Sequence, residues 1–162
     1  MASPEDLLII LKERRSIRLY EQKKVEEEVI GKLIEFATWA PSAHNSQPWR
    51  FVVIEDSKVK ASLAKAMAER WMKDLESDGV PVDERVKLKE ASINRFTQSP
   101  ILIVACISLE DMDRYPDARR QKCEWTMATQ SLSAAIQNLL IAASVYGLGA
   151  CWCCAPLFCE EA

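Results

Sequence analysis

Two stretches of the sequence concentrate groups able to hold an anion or read a planar ligand. ERRSIRLY, residues 13–20, places Arg14, Arg15, Ser16 and Arg18 where a first helix should end. Three guanidinium forks and a hydroxyl are a donor set suited to phosphate. Basic residues at a helix C-terminus also complement its dipole, and on these residues alone that plainer role is favoured about two to one. APSAHNSQPWRFVVI, residues 40–54, sets Ser42, Ala43, His44, Asn45, Ser46 and Gln47 between Pro41 and Pro48. The prolines restrict the backbone, and the amides of Asn45 and Gln47 each offer a donor and an acceptor. Such amides can read the edge of a heterocycle, or they can satisfy their own turn. His44 is the only histidine. A histidine metal cluster is therefore excluded, a catalytic triad has no evident members, and a solvated bystander is the plainer reading.

Two further stretches invite chemistry less strongly. Cys151 and Cys154 in CWCC form a C-x-x-C spacing,. Redox pairs of that kind sit at an exposed turn entering a helix. This pair lies in an apolar, strand-like run, where alternation sends Cys153 and Cys154 to opposite faces. With Cys159 the four thiols could conceivably hold a metal, but buried structural thiols are favoured, and no metal is expected. YPDARR, residues 115–120, reads as a helix start with an exposed basic turn. The glycines, Gly31, Gly79, Gly147 and Gly149, form no phosphate-cradling loop, which argues against Rossmann and P-loop folds.

The elements that must position these groups follow from periodicity and punctuation. Ser3-Pro4-Glu5-Asp6 is a capping pattern that opens a helix running to about Arg14. Val25, Val29, Ile30, Leu33, Ile34 and Ala37 mark an amphipathic helix over 26–40, closed by Pro41. Phe51–Ile54 reads as a strand, and Asp56-Ser57 caps a third helix to about Leu75. A turn over Ser77–Pro81 leads to a charged helix from about Val82 to Phe96. Ile101–Ile107 suits a central strand covered on both faces. Tyr115-Pro116-Asp117 starts the longest helix, buried from Trp125 to Tyr146 and ended by Gly147. Ala150–Cys154 reads as a further strand, and residues 159–162 as a helix beginning. These alternating elements predict one domain over 1–162 of the α+β class, an α/β three-layer sandwich around a small mixed sheet.

Composition narrows the function classes. The chain has 162 residues, 49% hydrophobic and 28% charged, with net charge -3. That is ordinary for a soluble domain able to build a core without disulfides. It gives no general attraction to nucleic acid or to an anionic membrane. Glu5 and Asp6 precede the Leu7–Leu11 run where a secretory leader would be basic, and no run approaches the length of a spanning helix. A cytoplasmic location is expected.

Taken together, RRS-x-R, P-S-x-x-N-x-Q-P-W and a late GLGACW resemble the FMN-dependent nitroreductase family over essentially the whole sequence. Trp71–Gly79, YPDARR and the run from AIQNLL to PLFC are similar, more narrowly, to the flavin domain fused to the glutamate ligase of deazaflavin-coenzyme biosynthesis. N-S-Q-P-W is nearer the general form. The resemblance implies a homodimer with FMN at the interface, NAD(P)H as electron donor and a small electron-poor acceptor. It implies that Arg14, Arg15, Ser16 and Arg18 hold the phosphate, ribityl chain and flavin edge. Pro41, Ser42, Ala43, Asn45 and Gln47 would belong to the loop reaching the flavin from the other subunit, and the backbone around Trp152, Cys153 and Cys154 would run beside the ring. His44 would be a substrate contact. No protein nucleophile is then needed. Family members usually continue past this point into a C-terminal arm, which the chain as given lacks. Two rivals stand beside this reading: a thiol-based metal-binding or redox-sensing protein, and a flavin-binding module without turnover.

Overall fold

Ser3 begins the first element as its pattern demands. In a computed structural model that describes residues 3–159, its hydroxyl accepts from the Asp6 N–H and the Asp6 carboxylate accepts from the Ser3 N–H. The backbone bond and the hydroxyl both hold the Asp6 carboxyl below its ordinary value. Helix α1 spans Pro4–Glu13, α2 Glu27–Thr38, strand β1 Trp49–Ile54, α3 Ser57–Ser77, α4 Val82–Thr97, β2 Leu102–Ile107 and α5 Ala118–Val145. The α+β class expected from the sequence is therefore present.

Residue contacts group the chain into two compact units. Of the described residues, the first comprises 3–16, 25–52 and 103–151. Its core is Leu33, Ala37, Ala40, Trp49, Leu132, Ala135, Leu139, Ala142 and Ala143. The alanines let α2 and α5 approach closely, and Phe51, Ile103, Ala105 and Ile107 of the strands pack against them. The Ser108 N–H donates to Pro48 O at 2.7 Å, tying the end of β2 to the start of β1, so the pair runs antiparallel,. Trp49 is 5% exposed. Truncating such an aromatic costs about 3–5 kcal/mol, so it is a firm anchor just after the polar loop. Leu148 N–H donates to Ala143 O beyond Gly147, whose φ of 69° ends α5 in the left-handed region,.

Of the described residues, the second unit comprises 17–24, 53–102 and 152–159. Helices α3 and α4 pair across a turn in which Gly79 has φ 75°. Asp56 caps α3 by accepting from the Lys58 and Val59 N–H groups. Lys60 is buried, and its ammonium donates to Ser99 O at 2.6 Å and Pro100 O at 2.9 Å.

Three expectations need correction. Ala150–Cys154 is not a strand: the described residues show an isolated parallel bridge between Ser16 and Ala150, then a 3-10 turn over Ala155–Phe158. Apolar alternation makes a segment competent for a ladder, but a strand exists only where a partner backbone lies alongside. Strand β2 is half-buried along its whole length rather than fully covered. Of the C-terminal cysteines only Cys159 is buried; Cys151 and Cys153 are half-buried and Cys154 is exposed. The expected helix start at 159–162 falls largely outside the described residues.

Candidate functional site

The loop from Pro41 to Pro48 lies wholly in the first unit and separates two kinds of polar group. Its serines face the fold. The Ser42 hydroxyl accepts from the Gln47 N–H at 3.1 Å. Ser46 donates to Ala43 O at 2.8 Å, and its hydroxyl also contacts the sulfur of buried Met112 at 2.9 Å. The Ala43 N–H donates at 3.2 Å to Ser131, a buried serine of α5 whose own hydroxyl donates to Met127 O. Backbone bonds from Asn45 N–H to Ser42 O and from Ser46 N–H to Ala43 O close the turn.

The amides face outward. Asn45 and Gln47 are exposed, and among the described residues their side chains make no hydrogen bond. Both sit on left-handed backbone, with φ 50° and 46°, and His44 beside them has φ 56°. Asn and His are the more tolerant of that region, but Gln pays a steric cost there. Three such residues in one turn persist because the serines and the two flanking prolines over-determine the backbone.

The arginines divide between the two roles weighed from sequence. Arg15 donates to the α1 carbonyls of Lys12 and, at 3.0 Å, to Arg14 O, which is the helix-end role. Arg14 is the C-cap and its N–H donates to Ile10 O. Its guanidinium has no partner among the described residues, so its fork is available to an anion. Ser16 bridges Ala150 within the same unit. Arg18, Trp152, Cys153 and Cys154 belong to the second unit, where Arg18, Trp152 and Cys154 are exposed.

Sequence reasoning missed Glu124 and Asp113. His44, though exposed, lies beside a buried acid: its Nε2 is 3.6 Å from Glu124 Oε1, and Glu124 is 2% exposed. A glutamate inside a helix reads as solvated. The available signal was its place on the i, i+4, i+7 stripe with Ala128 and Ser131, which is the buried face of α5,. Among the described residues, His44, Asp113 and Glu124 are the one group of three or more potential metal ligands whose atoms converge, and it contains no cysteine.

The donor set fits a phosphorylated planar ligand. Arg14 offers an unpaired fork, and Asn45 and Gln47 offer outward amides on a backbone that they do not themselves hold. A family model described as the nitroreductase family matches residues 11–160. The chain belongs to the nitroreductase family. Its nitroreductase relatives include an Archaeoglobus fulgidus protein named "Putative NADH dehydrogenase/NAD(P)H nitroreductase", 30% identical over 91% of this chain. The match spans 67% of the length of that relative and 61% of another, and only about a third of others. Among solved structures, a BluB-like flavoprotein from Clostridium difficile is 27% identical with TM-score 0.76, over 96% of this chain and 77% of that one. A Desulfovibrio desulfuricans protein described as "a putative nitroreductase in complex with fmn" shares the fold at TM-score 0.70 and 24% identity, over 99% of this chain and 74% of its own. No helix among the described residues is long and apolar enough to cross a membrane.

Proposed function

We propose that this nitroreductase-family chain binds FMN, accepts reducing equivalents from NADH or NADPH, and passes them to a small electron-poor acceptor. Nitroaromatics, quinones and an unsaturated cofactor precursor are the acceptor classes. The observation that carries the reading is the polarity of the 41–48 loop, with serines engaged by the fold and the amides of Asn45 and Gln47 held outward. Family membership and the names of its relatives support it. A ligase-associated subgroup is supported only by the Trp71–Gly79, YPDARR and AIQNLL-to-PLFC patterns.

In this reading the Arg14 fork and the Ser16 hydroxyl take the phosphate, while Asn45 and Gln47 read the polar edge of the ring. Arg15 donates to Lys12 O and Arg14 O at the end of α1. Arg18 and the Trp152–Cys154 backbone keep the roles that the family resemblance gives them, as do Pro41, Ser42 and Ala43. FMN, when bound, supplies the two-electron chemistry, so no side-chain nucleophile is required. Donors beside the ring favour negative charge there.

A homodimer belongs to the same proposal. In the first unit α1 buries none of its residues, leaving Leu7, Leu8, Ile9 and Leu11 exposed. Phe36 of α2, Trp39 at its C-cap and Tyr146 after α5 are exposed as well, with Trp39 at 80%. An apolar helix face left exposed in this way is expected to be covered by another copy. Sedimentation at twice the 18.4 kDa chain mass is the expected result, and a monomer at micromolar concentration counts against it.

The test of activity is an anaerobic absorption experiment. Purified protein should be yellow, bleach with NADH or NADPH, and recover its colour when a quinone or nitroaromatic is added. Bound flavin that no donor bleaches would favour a binding module without turnover. Protein that takes up no FMN but carries stoichiometric thiolate-bound metal would favour the cysteine-based rival.

A further inference from the structure

Glu124 is the anomaly of α5. It lies on a stripe otherwise made of Ala128, Ser131, Leu132 and Ala135, its side chain is 3% exposed, and its Oε2 is buried without a hydrogen-bond partner. A buried carboxylate that no donor meets is costly unless a cation lies beside it. His44 Nε2 faces the other oxygen at 3.6 Å, too far for a hydrogen bond,. Asp113 completes the group: one ligand atom from each of the three residues lies within 4.8 Å of the others.

We propose that His44, Asp113 and Glu124 form a binding site for a divalent first-row transition cation of the Zn²⁺ type. Two ligand atoms 3.6 Å apart, each about 2.1 Å from one ion, subtend about 118° at it, an angle that suits tetrahedral or trigonal coordination. One imidazole nitrogen with two carboxylate oxygens matches zinc or its neighbours. Calcium and magnesium prefer all-oxygen sets, and Cu(I) prefers sulfur. Two carboxylates and a neutral imidazole also balance the charge of a dication. Nε2 is the inward nitrogen, so Nδ1 carries the ring proton.

The site has a rigid wall and an open one. Glu124 is fixed on α5, whereas His44 and Asp113 are exposed and leave room for water as a further ligand. A cation held there pins the 41–48 loop to α5 through His44, next to Asn45. The lone histidine looked too few for a metal centre because carboxylate ligands distant in sequence cannot be counted from spacing.

Zinc binding is measured by equilibrium dialysis of chelator-stripped protein with elemental analysis, and by zinc-edge X-ray absorption. These readouts do not depend on flavin or turnover, so their failure is distinguishable from failure of the flavin reading. One equivalent per chain is expected, with nitrogen and oxygen neighbours at about 2.0–2.2 Å and no sulfur at about 2.3 Å. The equivalent should survive the combined Cys151→Ser, Cys153→Ser, Cys154→Ser change. His44→Ala and Asp113→Asn alter exposed positions and should each weaken zinc by about 100-fold, at or beyond the upper end for loss of an outer-shell partner. Glu124→Gln should abolish binding while melting no lower than stripped wild type, because it keeps the shape of a buried acid that no donor meets. Sulfur in the shell, loss of zinc in the cysteine variant, unchanged affinity in His44→Ala and Asp113→Asn, or no zinc retained by wild type at micromolar concentration would each overturn the proposal.

Discussion

The loop from Pro41 to Pro48 and the run from Cys151 to Cys154 are the two segments densest in reactive side chains, and they are built in opposite ways. In the loop, Ser42, Ser46 and Ser131 hold the backbone with named hydrogen bonds, and Asn45 and Gln47 are left to face outward. In the cysteine run no strand forms, and the thiols of Cys153 and Cys154 meet no hydrogen-bond partner among the described residues. Reactive groups become a site when the backbone beneath them is fixed by bonds that those groups do not themselves make. The loop meets that condition, and the cysteine run does not.

The comparison can be broken first at Arg14. Arg14→Ala should weaken FMN by about 1.5–3 kcal/mol, the scale of hydrogen bonds to a charged group. Arg15→Ala should instead lower helix stability with a smaller effect on FMN, since its guanidinium is engaged by α1 carbonyls. Flavin fluorescence titration and urea unfolding separate the two, and equal effects on FMN would erase the distinction. Next is the scaffold. Ser131→Ala removes the acceptor for the Ala43 N–H and should cost about 1–3 kcal/mol of stability for a half-buried donor left unpaired. A urea midpoint equal to that of wild type would show that the loop does not need α5.

A smaller effect tests strain. Gln47→Gly relieves a left-handed residue and should raise stability by up to about 1 kcal/mol while lowering FMN affinity. If both rise together, the Gln47 amide reads nothing. The cysteine run gives the mildest effect, a kinetic order. Burial pushes the Cys159 thiol above its ordinary value, so that thiol stays protonated at neutral pH. Iodoacetamide with mass spectrometry should find exposed Cys123 and Cys154 labelled first and Cys159 last; early labelling of Cys159 would show that its burial is not maintained.

Much of the fold was legible because its punctuation is local. Ser3, Asp56 and Asp117 cap helices in the structure as the sequence suggests, and Gly79 and Gly147 stand at the expected turns. Pairing was not legible. Ala150–Cys154 has the apolar pattern of a strand, but pattern does not supply a partner. The candidate site was legible as residue types and illegible as geometry. Left-handed backbone at His44 and Gln47 has no glycine to announce it, and the approach of Glu124 to His44 depends on packing between α5 and the loop. Arg14 and Arg15 show the same limit, since neighbours of one residue type take different roles according to which carbonyls lie within reach.

The central claim is that the outward amides of the loop read a flavin, and FMN titration of wild type against Asn45→Ala tests it most directly. Wild type should quench one FMN per chain, and Asn45→Ala should bind about 2- to 12-fold more weakly, the loss of one neutral hydrogen bond of about 0.5–1.5 kcal/mol. Equal affinity in the two proteins, or wild type that leaves FMN fluorescence unchanged, would contradict the account.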